Sequence, residues 1–199
     1  MLIVMLMSVC LDYYETFYAK IKNYAVFIPT IEVDGKDHIL LEVRSQHIAQ
    51  PGEVSFPGGR VEPGEEFKDA AIRETMEELL LDRKDIEYQG YSSMILSSTY
   101  SHIKAFYGRI NKNIEEIKYN EEVASIFAVD VDYFKKNEPI MYRAPYEMVF
   151  PEDFPFDKIP NGKDYEFVTG FHDMYFYDTN PVIWGLTAKL LKNYIGSLD

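Results

Sequence analysis

The sequence predicts a mixed α/β protein, a layered α/β or α+β sandwich built as one domain, and three observations predict it. Apolar, β-branched runs bounded by turn residues alternate with two segments of good helix formers. Strands and helices are interleaved along the chain rather than segregated into halves. At 199 residues and 47% hydrophobic content, one sizeable core is expected rather than two domains or a disordered chain.

Residues 1–11, MLIVMLMSVCL, are almost wholly apolar. No basic residue precedes them and no small-residue cleavage site follows, so the reading is an N-terminal extension (1–23, helical around 13–22) rather than an export signal. The run is also far short of the roughly 20 apolar residues that cross a bilayer. The main body is expected over 24–199. Its first unit, 24–45, places Asp34-Gly35 between two apolar runs, a hairpin signal because that pair tolerates positive φ. A Pro- and Gly-rich loop follows at 46–64. Segment 65–81, EEFKDAAIRETMEELLL, reads as a helix with Glu65, Glu66 and Asp69 at its N-terminus, where the dipole favours anions. Strands are expected around 91–96, 103–110 and 123–129. Segment 139–180 reads as mostly loop with short strands near 167–171 and 174–177, and a last helix at 181–194 opens with Pro181.

The net charge of −13 excludes a protein that holds nucleic acid by neutralising phosphates, which needs clustered Lys and Arg. It does not exclude a small phosphate-bearing substrate, because a divalent ion held by carboxylates can bridge two anions. The single Cys10 forms no internal disulfide, and a cytoplasmic setting is expected.

Chemistry concentrates on the 65–81 helix. Glu74, Glu77 and Glu78 are spaced i, i+3, i+4 and share one side, with Ile72, Met76, Leu79 and Leu80 on the buried side. Like charges so placed repel, and the C-terminal half of a helix disfavours anions further. A hard cation such as Mg²⁺ reverses the sign of that repulsion. On spacing alone, a solvated acidic face is the commoner explanation. The residues upstream change that balance.

Residues 57–81, PGGRVEPGEEFKDAAIRETMEELLL, contain Gly59, Glu65 six positions on, then Arg73-Glu74 and Glu77-Glu78. This resembles the Nudix box, Gly-x5-Glu-x7-Arg-Glu-U-x-Glu-Glu-x-Gly-U with U a bulky aliphatic. Two positions depart: Leu80 replaces the late Gly, and Thr75 the first aliphatic. The resemblance implies a Nudix-type α/β/α sandwich with a mixed β-sheet. It further implies hydrolysis of a nucleoside diphosphate linked to another moiety, by a metal-activated water. Glu74, Glu77 and Glu78 would bind Mg²⁺ or Mn²⁺. Glu74 and Glu78 join Glu122 as the catalytic set, with Glu74 the first choice of general base and Glu122 the second candidate. A surface charge at a strand start is an equal reading of Glu122. Glu65 and Arg73 resemble the pair that supports loop and helix, and Gly58 and Gly59 let backbone approach the ligand.

Residues 40–59, LLEVRSQHIAQPGEVSFPGG, and 180–191, NPVIWGLTAKLL, are similar to motifs of the coenzyme A diphosphatase branch, although the spacer lacks an Arg. That branch implies coenzyme A as substrate. Its 3′-phosphate calls for a cation besides the metal, and Arg44 and Arg60, which flank the loop, are the candidates because Arg forks suit phosphate, Arg44 alternatively being a salt-bridged strand end. The aromatics of 142–177 are read as core packing before a ligand pocket, and His102 and His172 as structural. The alternatives are another diphosphate such as ADP-ribose, NADH or a nucleoside triphosphate, or a non-catalytic Nudix module. The expected partner is a small molecule, with neither nucleic acid nor membrane, and a homodimer is left open. Because Leu resists positive φ, the helix is expected to run on through Leu80 into 81–84.

Overall fold

A computed structural model describes residues 21–96, 101–145, 148–167 and 170–198. The hairpin forms as the Asp34-Gly35 pair requires: β1 (Lys22–Val33) and β2 (Lys36–Arg44) pair antiparallel across a turn with φ of 51° and 74° at those two residues. The strand already begins at Lys22, inside the expected extension, and residues 1–20 lie outside the described ones. The 46–64 loop contains two short strands, β3 (Val54–Ser55) and β4 (Gly58–Arg60), that dock onto β2 and β1. Next come α1 (Phe67–Glu78), β5 (Ile86–Leu96), β6 (Ser101–Ile110) and β7 (Val123–Asp130). Short helix α2 (Val131–Lys136) precedes β8 (Ile140–Pro145), β9 (Phe171–Tyr177), β10 (Ile183–Trp184) and α3 (Gly185–Ile195).

Strands β3-β2-β1-β6-β5 run side by side in one sheet, with β4 also on β1 and β7 also on β2. The β1–β6 pair is parallel and the others antiparallel, so the sheet is mixed. Side chains alternate across it. Ala25, Phe27, Ile31 and Leu40 pack on one face with Ala70, Ala71 and Ile72 of α1 and with Leu79 just after it. Ile28, Ile39 and Leu41 pack on the other with Phe134 of α2 and Ala188, Leu190 and Leu191 of α3. Both faces are covered, which is the α/β/α sandwich.

Four expectations are corrected. Helix α1 stops at Glu78, and Leu80 adopts φ 47° instead of continuing the helix. The Leu81 amide reaches back to the Met76 carbonyl at 3.1 Å, closing a Schellman-type end. That turn buries Leu79 and Leu81 and leaves Leu80 53% exposed, so Leu80 is not on the buried face. Leu in αL costs about 1–2 kcal/mol. Burying its two neighbours returns about 1.5–3 kcal/mol each, so tertiary packing overrides local preference. Second, the side shared by Glu74, Glu77 and Glu78 is not wholly apart from the buried one, because Glu78 is itself buried. Third, Pro181 precedes the last helix rather than opening it; β10 intervenes and α3 starts at Gly185. Fourth, the two short strands expected near 167–171 and 174–177 are replaced by one, β9 at 171–177, paired with an unexpected β8 (residues 168–169 lie outside the described ones).

The aromatics of the 148–167 segment mostly face one another. Phe150 lies within 4.6–5.3 Å of Phe154, Phe156 and Phe167, measured between ring centres, as a half-buried satellite cluster. His102 packs on Phe67 at 5.0 Å.

Candidate active site

The loop before α1 and the helix itself are joined by the residues of the 57–81 motif. Gly58 follows Pro57, whose carbonyl accepts the Phe27 amide, so the loop is stitched to β1. A Cβ on Gly58 would run into the Ala25 carbonyl, and a Cβ on Gly59 would collide with the Glu74 carboxylate. These two positions therefore need glycine for close approach, of strand in one case and of a helix carboxylate in the other. The Gly58 amide donates to Glu78 Oε2 at 2.8 Å.

Arg73 organises the exposed half of the constellation. Its Nε and Nη2 donate to the two carboxylate oxygens of Glu65 at 2.9 and 3.1 Å. Its Nη1 donates to Glu74 at 2.9 Å and Glu77 at 3.2 Å, and Nη2 also reaches the Arg60 carbonyl at 3.1 Å. Glu65 completes the link by accepting the Glu62 amide at 3.0 Å. The forked guanidinium holds the Glu65 carboxyl below its ordinary range, and Glu65 in turn holds Arg73 above its own. Thr75, at the motif's aliphatic position, is fully buried and spends its hydroxyl on the Ala71 carbonyl at 2.7 Å, which is why a polar residue is tolerated there.

The buried half contains a residue that the sequence reading passed over. Glu42 of β2 is 2% exposed, and Glu78 is 4% exposed. Ser55 Oγ donates to Glu42 Oε1 at 2.9 Å, whereas Oε2 is buried with no hydrogen-bond partner among the described residues. Burial, and after it the neighbouring Glu42 carboxylate, push the Glu78 carboxyl far above the carboxylate range. Burial likewise raises Glu42, and raises Glu74 despite Arg73. Glu122, at the turn before β7, adds to the negative potential at all three. Its backbone is fixed, since its amide donates to Asn120 Oδ1 at 2.8 Å and its carbonyl accepts the Ser45 amide at 2.8 Å. The available signal for Glu42 was a charged residue at an inward position of the apolar strand HILLEV.

Arg73 offsets part of the charge on Glu65, Glu74 and Glu77, while Glu42 and Glu78 meet no ion-pair partner among the described residues. Such a group of carboxylates suits a hard divalent cation. Among the described residues no three His, Cys, Asp or Glu side chains converge as a ready cage. Mg²⁺ completes its octahedron with water and substrate phosphate, so it does not need a closed protein cage. The residues present fit such an ion.

The loop's other end is set by Arg44, whose Nε donates to the Ala49 carbonyl at 2.8 Å across the turn from β2 to β3. Arg44 forms no salt bridge among the described residues, so the salt-bridged strand-end reading is not realised. On the far side of the sheet, Thr187 of α3 donates to the Val54 carbonyl at 2.9 Å and ties the last helix to the same loop. Among the described residues, no helix is long and apolar enough to cross a membrane.

A NUDIX domain model matches residues 22–149. Nudix hydrolase 3 of Caenorhabditis elegans is 30% identical over 182 residues, spanning 88% of this chain and 72% of that protein. The mouse peroxisomal coenzyme A diphosphatase NUDT7 is 29% identical over 114 residues, 56% of this chain and 48% of its own length. Among solved structures, a C. elegans Ap4A hydrolase binary complex has 22% identity and a TM-score of 0.48, covering 56% of this chain and 83% of that one. With the motif's glycines, arginine and carboxylates on one loop and helix, and a family match across most of the sheet, the chain belongs to the Nudix hydrolases, pyrophosphohydrolases of nucleoside diphosphate derivatives.

Proposed function

We propose that the chain hydrolyses coenzyme A or one of its derivatives at the diphosphate, with Mg²⁺ or Mn²⁺, giving 3′,5′-ADP and 4′-phosphopantetheine. The observation that carries this reading is the 40–59 stretch, which sets Arg44 at the end of β2 and Gly58-Gly59 beside the helix carboxylates. Among the described residues Arg44 hydrogen-bonds only through its Nε, while its charge also acts on Glu42, which leaves Nη N–H groups for a phosphate remote from the diphosphate. The partial similarity to a mouse coenzyme A diphosphatase supports the same choice.

In this reading Glu74, Glu77 and Glu78 hold the divalent ion. When bound, it would lower the pKa of a water and offset charge on the phosphate oxygens. Glu74 accepts a proton from the water that attacks phosphorus, with Glu122 the second candidate. The new P–O bond forms as the bridging P–O bond breaks, and the bridging oxygen leaves on the other phosphate. Gly58 and Gly59 keep side chains out of the diphosphate's path, and Arg44 and Arg60 take the 3′-phosphate.

The test compares coenzyme A, dephospho-coenzyme A and ADP-ribose at equal Mn²⁺, with products identified. Coenzyme A should be the best substrate. Loss of the 3′-phosphate should lower kcat/KM about ten- to a hundredfold, the worth of one charge-assisted contact. A clear preference for ADP-ribose would sink the coenzyme A assignment, and an inert protein would sink diphosphate hydrolysis itself.

A further inference from the structure

We propose that Glu42 is a further carboxylate of the cation site, its buried Oε2 supplying negative charge from the sheet, opposite the helix carboxylates. This rests on the reading above that a divalent ion binds beside Glu74 and Glu78.

The direction of the side chain follows from strand alternation. Leu40 packs with α1, and Leu41 packs on the opposite face with α3. Glu42 therefore projects toward α1, as does Ile126, its Cα partner on β7. Glu78 closes α1 on that side, with its carboxylate tied to the Gly58 amide at 2.8 Å.

The cost of the residue is the second observation. Glu42 stands after Ile39, Leu40 and Leu41 in a strand otherwise built for burial, and it is 2% exposed. One oxygen takes the Ser55 hydroxyl at 2.9 Å, and the other has no donor among the described residues. An unmet buried carboxylate oxygen opposes folding, and an apolar residue would avoid that cost. Arg73 does not relieve it, since its N–H groups go to Glu65, Glu74, Glu77 and the Arg60 carbonyl. A cation seated between β2 and α1 would satisfy Glu42 and Glu78 together.

The test is Mn²⁺ binding to the full, metal-free chain without substrate, followed by electron paramagnetic resonance of free Mn²⁺ and by the Mn²⁺-induced rise in Tm. Glu42→Gln keeps shape and the Ser55 contact, and Glu42→Leu replaces the carboxylate with an apolar group. Both should weaken Mn²⁺ binding about 10–100-fold, the range typical of residues supporting a metal site. Both should lose most of the Mn²⁺-induced rise while metal-free Tm stays level or increases. Wild-type-like Mn²⁺ affinity in either folded variant would overturn the proposal. So would failure of both to fold in metal-free buffer, because Glu42 would then belong to the framework. A wild-type chain that binds no Mn²⁺ would overturn the underlying metal reading as well, which separates the two failures.

Discussion

The Gly58 amide and the Glu78 carboxylate, twenty residues apart, meet at 2.8 Å. That bond closes the loop onto the end of α1 and draws a carboxylate into the protein, where it faces Glu42 across the sheet–helix seam. The fold thus holds a carboxyl group at a place where its charged form is unfavourable without a counter-ion.

The clearest consequence is for Glu78→Gln. An amide oxygen can still accept the Gly58 amide, so the loop should stay closed. Without metal, Tm should stay level where Glu78 is protonated and exceed wild type as pH climbs toward 9, where the buried Glu78 charge that Gln lacks opposes folding. Turnover should fall by orders of magnitude. Steady-state kinetics beside a thermal scan checks both, and near-normal turnover would remove Glu78 from the mechanism.

Metal-free stability should depend on pH in an unusual direction. Burial raises Glu42 from its ordinary 4.5 to about 7 and Glu78 from 4.5 to about 9. The folded state therefore binds more protons than the unfolded one above pH 4.5. Stability is fully present below that value and is lost as pH rises through 7 toward 9. Glu65, lowered by Arg73, acts in the opposite sense, losing its contribution only as pH falls below its ordinary value. Thermal scans in chelator from pH 5 to 9 should show a falling Tm, and saturating Mn²⁺ should flatten the slope. A Tm that climbs over this interval in chelator would contradict the burial of both carboxyls.

Leu80→Gly should stabilise the protein. The position has φ 47° and its side chain is 53% exposed, so little burial is lost and the αL strain disappears. After the extra backbone entropy of Gly, a gain of about 0.5–1 kcal/mol is expected, with kcat unchanged. Chemical denaturation measures it.

Gly58→Ala and Gly59→Ala should fail differently. The first forces a methyl against the Ala25 carbonyl in the central strand and should destabilise by about 1–3 kcal/mol or more. The second meets only the Glu74 carboxylate, which can swing away, so stability should fall less and activity should collapse. Equal stability losses in the two variants would show that Gly59 is also a framework position.

Much of this protein was written locally. Asp34-Gly35 determined a hairpin through its own φ preference, and the i, i+3, i+4 spacing placed Glu74, Glu77 and Glu78 near one another, because both effects act over a few residues. What separated those glutamates was tertiary. Glu77 stays exposed and bonds Arg73, whereas Glu78 is buried against β2, a difference decided by where the helix lands on the sheet. Leu80 shows the same division: its residue type argues for a continuing helix, but burial of Leu79 and Leu81 outweighs the strain of one αL residue. Glu42 is the furthest case. Its inward position was legible from period-2 alternation, yet its meaning arises only when the sheet brings it opposite a helix carboxylate 36 residues later in the chain. Burial and electrostatic proximity are properties of the assembled layers, and no local pattern encodes them.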